Sequence, residues 1–154
     1  MYPIHRKRRL RKSAALRDLV QETHIHPHDF IVPLFVVGGK GVREEIPSMP
    51  NIYRMSLDEI KKEVRLIWKM GLKGVLVFAK VEDRLKDNAG TESLNCDGLM
   101  QRAIQTIKAT VPEMVVFSDV ALDPYSSFGH DGIVENNVIV NDSTIDVLSK
   151  MALS

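Results

Sequence analysis

The sequence predicts an α/β protein built on a parallel sheet, and three observations carry that reading. Apolar runs at residues 30–37, 75–79 and 114–122 have the near-continuous hydrophobicity of strands covered on both faces. Segments of roughly 10–15 residues with apolar side chains at helical spacing lie between them. The order alternates strand with helix, which is the pattern of βαβ units. Such units build either an open sheet or a closed (β/α)8 barrel.

Length and composition suit one globular domain. The 154 residues are 44% hydrophobic and 27% charged, too balanced for a disordered or collagen-like chain. A chain of that size buries about two thirds of the surface its unfolded form exposes, so it needs no disulfide or metal staple. One cysteine, Cys96, excludes an intrachain disulfide framework and fits a reducing compartment. No apolar run approaches the roughly 20 residues of a membrane helix. The first 12 residues are basic without an apolar core and do not read as a secretory signal. A cytoplasmic location is expected.

The net charge of +1 hides a division. Residues 1–17 carry seven basic side chains (Arg6, Lys7, Arg8, Arg9, Arg11, Lys12 and Arg17) and no acidic one, leaving 14 basic against 20 acidic residues in the body. A basic arm can neutralise nucleic-acid phosphates, but no aromatic stacking residue interleaves this run and no reading motif follows it. Docking on the acidic surface of its own or a neighbouring subunit is the favoured reading.

Along the chain, Ser13 is the N-cap of a short helix over residues 13–21, with Leu16, Leu19 and Val20 on one side. Residues 1–28 thus form an arm and short helix, and residues 29–154 the βα units. Pro27 helps end the first segment. The strand at 30–37 ends at Gly38-Gly39, and Pro33 inside it marks a weakly paired point. A loop with Pro47 and Pro50 follows. Ser56-Leu57-Asp58-Glu59 reads as a capping box opening a helix with the stripe Ile60, Val64, Ile67 and Trp68, closed by Gly71. The 75–79 strand leads into a long charged loop at 80–97. A helix over 98–110 presents Leu99, Ala103, Ile104 and Ile107, and the third strand spans 114–122. Asn136-Asn137 centres a β-hairpin over 132–140, and Asp142 caps a last helix over 143–153.

Chemistry concentrates between Ser118 and Gly132. If the third strand stays regular, Asp119, Ala121 and Asp123 project to one side at the C-terminal strand ends, which form the active-site face of a parallel barrel. Carboxylates there need pairing, hydrogen bonds or a cation. His130 and Asp131 return on a glycine-bounded loop, and Asp123 with Asp131 suits a hard cation such as Mg²⁺ or a substrate ammonium. The plain alternative makes Asp123-Pro124 a turn and Asp131-Gly132 a hairpin corner. His24, His26 and His28 alternate like metal ligands but precede the first strand, opposite the active-site face, so a simple loop is favoured. Lys80 sits where a Schiff-base amine would, although a solvated loop lysine is the favoured reading. Gly38-Gly39-Lys40-Gly41 lacks phosphate-loop spacing.

Several collinear blocks carry a family resemblance. They are residues 8–22 (Arg8-Arg9-Leu10-Arg11-Lys12-Ser13 and onward to Glu22), Pro33-Leu34-Phe35-Val36-Val37, Ile46-Pro47-Ser48-Met49-Pro50, and the run from Asp119 to Gly132. They closely resemble porphobilinogen synthase, also called δ-aminolevulinic acid dehydratase, from about residue 8 to 154. The resemblance implies a (β/α)8 TIM barrel that condenses two 5-aminolevulinate molecules into porphobilinogen, losing two waters, in tetrapyrrole (haem) biosynthesis. It also implies a homo-oligomer, typically an octamer, whose N-terminal arms embrace neighbours.

Where zinc-dependent members carry three cysteines, this chain has Ala121, Asp123 and Asp131. It therefore resembles the aspartate-rich class that responds to Mg²⁺ or a monovalent cation, with no cysteine-ligated zinc expected. The resemblance places Asp119 in the substrate pocket as the catalytic carboxylate. It places Asp123 and Asp131 at metal-ligand positions, and Ser126, Ser127 and Phe128 at the start of a water-excluding lid. Lys80 departs from the family's small residue and is assigned no catalytic role.

The family is roughly twice as long, as a complete barrel of about 200 or more residues requires. Its two Schiff-base lysines lie on later strands, and its allosteric Mg²⁺ carboxylate is also missing from this sequence. The expectation is the first three βα units of a barrel, inactive in isolation. Competing readings are a non-enzymatic half-barrel that assembles through its open edges and, less favoured, nucleic-acid binding through the arm.

Overall fold

The computed structural model describes every residue except Tyr2 and Arg6, so the Arg6 end of the basic run lies outside the described residues. The chain runs α1 (Ala14–Leu19), β1 (Ile31–Val37), β2 (Arg43–Glu45), β3 (Tyr53–Met55), α2 (Leu57–Lys69), β4 (Gly74–Lys80), α3 (Leu99–Thr110), β5 (Val115–Ser118), β6 (Val134–Glu135), β7 (Val138–Ile139) and α4 (Asn141–Leu153). One sheet has the order β2-β3-β1-β4-β5. Within it β1, β4 and β5 are parallel, as βαβ crossovers require, β3 joins β1 in parallel, and β2 runs antiparallel to β3. β2 and β3 occupy the stretch read as loop. Arg43-Glu44-Glu45 has no apolar run to announce a strand, and it pairs with β3, which itself takes the edge of β1.

Side-chain alternation decides what the sheet buries. Leu34 and Val36 of β1 and Val75, Val77 and Ala79 of β4 meet Ile60, Val64 and Ile67 of α2, Ala103 and Ile107 of α3, and Met114 in one core. The opposite face is not covered: Ile31, Val115 and Phe117 are each about half exposed, at 51%, 52% and 43%. The strands therefore lie under helices on one face only, not both. The helices pack outside, and among the described residues no strand crosses the inner face. Pro33 pairs in register with Leu76, while β3 reaches β1 only at Phe35 and Val36. Its missing N–H thus falls where one flank of β1 has no partner.

Helix ends show both agreement and difference. Ser13 Oγ accepts the Leu16 N–H at 3.2 Å, as an N-cap should. Gly71, at φ 91°, closes α2 in a Schellman motif, with Leu72 N–H donating to Ile67 O and Gly71 N–H to Trp68 O. The capping box of Ser56 and Glu59 does not form. The buried Ser56 hydroxyl instead accepts from Val42 N–H at 2.9 Å and donates to Asp58 at 2.6 Å, while Glu59 pairs with Lys62. Asp58 in turn accepts from Gly41 N–H, and these bonds hold its carboxyl below the usual carboxylate range. The hydroxyl is spent on tying the β1–β2 loop to the start of α2. In α4 the N-cap is Val140, and Asp142 lies in the first turn.

α4 packs on loops, not on the sheet. Val147, Leu148 and Met151 join Val81, Leu94, Leu122, Tyr125 and Ile133 in a second apolar cluster. Thr144 Oγ1 accepts Ile133 N–H at 3.0 Å, and Ser154 Oγ accepts from Gln101 Nε2 at 2.8 Å, bringing the end of α4 to the first turn of α3. The hairpin β6–β7 turns at Asn136 (φ 52°) and Asn137 (φ 61°), both left-handed as a type I′ turn demands. Little of the arm is covered: Pro27 lies beside Gly71, and among the described residues up to Phe30, Leu16 is half-buried and the others are exposed. No helix among the described residues is long and apolar enough to cross a membrane.

Candidate functional site

Parallel register brings side chains together at the C-terminal strand ends. Phe35 pairs with Phe78 of β4 on one flank and with Arg54 of β3 on the other, and the two aromatic rings stack at 5.3 Å. Two residues on, Val37 pairs with Lys80. A cavity of about 330 Å³ opens above this row, lined by Phe35, Arg54, Phe78, Lys80, Lys86 and Asp123. It stands on the uncovered face of the sheet, where a parallel barrel has its mouth.

The third strand stops at Ser118, four residues before the sequence pattern ends. Asp119, Ala121 and Asp123 therefore do not share a strand face. Leu122 and Tyr125 are drawn down into the second cluster, and Leu122 is fully buried. That pull bends the chain into the turn at Asp123-Pro124. Asp131 completes the bend, since its Oδ1 accepts the Leu122 N–H at 2.5 Å. Asp131 is thus more than a hairpin corner, because its carboxylate clips the two ends of the 122–131 loop together.

The three aspartates still feel one another. Burial raises the Asp123 pKa above the usual range, and the charges of Asp131 and Asp119 raise it further. Asp123 faces the mouth cavity, whereas Asp119 lines a separate groove of about 200 Å³ beside α3, with Ser118, Ile104 and Met151. Ser126 is buried. Its Oγ accepts the Phe128 N–H, and its backbone N–H donates to Leu122 O, so it builds the turn. Ser127 and Phe128 are exposed above the sheet, Phe128 at 56%.

The charged 80–97 loop holds this turn from the other side. Asp87 N–H donates to Tyr125 O and Ser127 N–H donates to Asp87 O, a short parallel bridge. The Asn88 amide clasps both backbone groups of Val134, at 2.9 and 3.0 Å. Gly90, in the left-handed region, lies against Leu122. Sequence reasoning left out Arg54, Phe35, Phe78, Lys86, Asp87 and Asn88. The strand register alone could have placed Phe35 beside Phe78. The loop contacts join residues 46 positions apart and had no local signal.

Among the described residues, no group of three His, Cys, Asp or Glu side chains is placed to hold a metal ion. His24, His26 and His28 stack ring on ring, at 6.4 and 5.1 Å, in exposed positions before β1. The Asp123 carboxylate accepts from its own backbone N–H only, and Asp131 has one oxygen to spare. That donor set fits a hard cation that keeps most of its waters, as Mg²⁺ does, and not a dry, fully liganded site.

The model of the family described as "Delta-aminolevulinic acid dehydratase" matches residues 4–154. A relative of that name from Bacillus subtilis (strain 168) is 44% identical over 98% of this chain and 46% of its own length. One from Chlamydia pneumoniae is 43% identical over 96% of this chain and 44% of its own. The crystal structure of delta-aminolevulinic acid dehydratase (porphobilinogen synthase) from Toxoplasma gondii ME49, in complex with the reaction product porphobilinogen, superposes with a TM-score of 0.92 at 45% identity. It does so over 97% of this chain and 43% of that one. The chain spans about half the length of the relatives it matches.

Proposed function

The chain belongs to the delta-aminolevulinic acid dehydratase family, and from that premise we propose that it is the N-terminal part of a porphobilinogen synthase barrel. In this reading a hydro-lyase condenses two 5-aminolevulinate molecules into porphobilinogen with loss of two waters. The observation that carries it is the 0.92 superposition at 45% identity onto a porphobilinogen complex, with the mouth cavity and the aspartate loop at the C-terminal strand ends.

The residues of this chain supply one wall of the site. Asp119, at the neighbouring groove beside α3, would hold the substrate ammonium or move a proton once the later strands complete the barrel. Ser126 shapes the turn that carries Ser127 and Phe128 over the mouth, where they exclude water. Asp123 and Asp131 would hold a Mg²⁺ or monovalent cation, which supplies positive charge beside the crowded carboxylates. The lysines that activate the substrate ketones as iminium electrophiles belong to later strands in the family resemblance, so this part alone is inactive. The exposed basic arm docks on neighbouring subunits of a homo-oligomer, up to the family's octamer. A cytoplasmic location is supported by one unpaired, exposed cysteine, Cys96.

The test is reconstitution. The purified 154-residue protein forms no porphobilinogen from 5-aminolevulinate, and mixing it with a polypeptide of the Bacillus subtilis relative's remaining length restores pyrrole formation. Activity of the 154-residue protein alone, or none in the mixture despite a stable complex, overturns the reading. The uncovered inner face favours a second one, a half-barrel that assembles without chemistry. A stable homo-oligomer that refuses the complementing polypeptide would support it.

A further inference from the structure

We propose that His24, His26 and His28 bind a borderline divalent cation of the Zn²⁺ or Ni²⁺ kind at the hinge between the basic arm and β1. The site precedes the first strand and takes no part in the reaction proposed above. The three imidazoles alternate along His24-Ile25-His26-Pro27-His28, and in an extended chain alternate side chains share a side. His26 is extended, at φ −119° and ψ 157°. Its ring centre lies 5.1 Å from that of His28 and 6.4 Å from that of His24. With metal–nitrogen bonds of about 2.0–2.1 Å and tetrahedral angles, two imidazole centres on one ion stand about 5 Å apart. The His26–His28 pair already has that separation, and His24 must close by about 1 Å. The rings as they stand do not converge on one point. All three residues are exposed, so their side chains turn toward a shared ion without moving the core.

A held backbone distinguishes this tract from a solvated loop. Asp29 Oδ2 accepts the His26 N–H at 2.7 Å, and Asp29 N–H donates to His26 O at 3.0 Å. Phe30 N–H donates to Pro27 O at 3.3 Å, immediately before β1 begins. Pro27 has a fixed φ and lies against Gly71, where a Cβ on the glycine would stand 3.4 Å from Pro27 Cβ. The turn is thus seated on the end of α2, and less chain entropy is lost when an ion binds. Among the described residues no ion pair engages any of the three rings. Imidazole nitrogens suit Zn²⁺ and Ni²⁺, whereas Mg²⁺ takes oxygen donors. The consequence is mechanical: one ion ties residues 24–28 together and fixes the direction in which the arm leaves β1.

The experiment titrates Zn²⁺ into the 154-residue protein by calorimetry and follows histidine ring and backbone resonances by NMR. One equivalent binds, and the ring signals of His24, His26 and His28 move together while those of His5 and His130 stay. Order parameters of the amides at residues 22–28 rise. His24→Gln, His26→Gln and His28→Gln each weaken Zn²⁺ by about tenfold or more, the loss of one ligand bond. His5→Gln, His130→Gln and Cys96→Ser match the parent, and excess Mg²⁺ does not compete.

Full affinity in the variant lacking all three histidines, ring shifts confined to one of them, or binding abolished by Cys96→Ser or Asp123→Asn overturns the site. Unchanged order parameters with the three rings bound would overturn the hinge. Zn²⁺ held by the three histidines in a protein that never reconstitutes would leave this site standing and overturn only the proposed activity.

Discussion

Replacing Gly90 by alanine tests whether the 80–97 loop and the aspartate turn are locked against each other. Gly90 has φ 64° and ψ 36°, and a Cβ built there lies 2.7 Å from Leu122 Cδ2. The left-handed backbone costs a non-glycine residue about 1–2 kcal/mol. The contact adds an overpacking cost of roughly 1–3 kcal/mol, since Leu122 must shift while fully buried among Val81, Tyr125, Ile133 and Met151. The sum is about 2–5 kcal/mol, which at roughly 2–4 °C per kcal/mol lowers Tm by on the order of 10 °C.

Gly129 provides the control. It has nearly the same φ, 66°, and a Cβ there meets nothing within 4 Å. Gly129→Ala therefore carries the backbone cost alone, and the change in unfolded-chain entropy is common to both variants. Urea unfolding of the two variants and the parent, followed by circular dichroism, isolates the Leu122 contact as the difference, about 1–3 kcal/mol. Two variants equal within about 0.5 kcal/mol would refute the locked-loop account.

Three more outcomes follow from particular contacts. Asn88→Ala removes both amide bonds to Val134 and costs about 1–3 kcal/mol, with faster hydrogen exchange at the Val134 amide as the local readout. Tyr125 is buried, with no hydrogen-bond partner for its hydroxyl among the described residues, and burial foremost, with the Glu92 and Asp119 charges, pushes it up to about 12. A raised pKa contributes stability that is intact below about pH 10 and is lost as pH rises toward 12. Tyr125→Phe abolishes the tyrosinate absorbance step at about pH 12 and stabilises at neutral pH by roughly 1 kcal/mol. Asn137→Gly relieves one of two left-handed non-glycine residues in the hairpin and raises stability by about 0.5–1 kcal/mol in thermal unfolding.

Much of the architecture was legible in the sequence because its signals are local. Periodicity marks α2 and α3, Ser13 caps α1, Gly71 ends α2, and Asn136-Asn137 turns the hairpin. The collinear blocks likewise identified the family that the comparisons show. Less legible were choices between partners competing for one group. Ser56 is a good capping residue by type, yet its hydroxyl is claimed by Val42, 14 positions away. The apolar run at 114–122 has strand composition throughout, but its last residues gain more by entering the second cluster than by extending β5 along β4.

The sequence by itself determined which residue types are available: a βα alternation, a basic arm, and aspartates at 119, 123 and 131. Tertiary structure alone decided how they are used. Strand register set Arg54, Phe35, Phe78 and Lys80 around one mouth, and the clip from Asp131 to Leu122 turned Asp123 toward it while Asp119 faces another groove. The physical reason is that helix and turn signals act over a few residues, where backbone geometry is nearly fixed. A site is assembled by register and by buried contacts between distant segments, whose outcome depends on every group competing for the same partner.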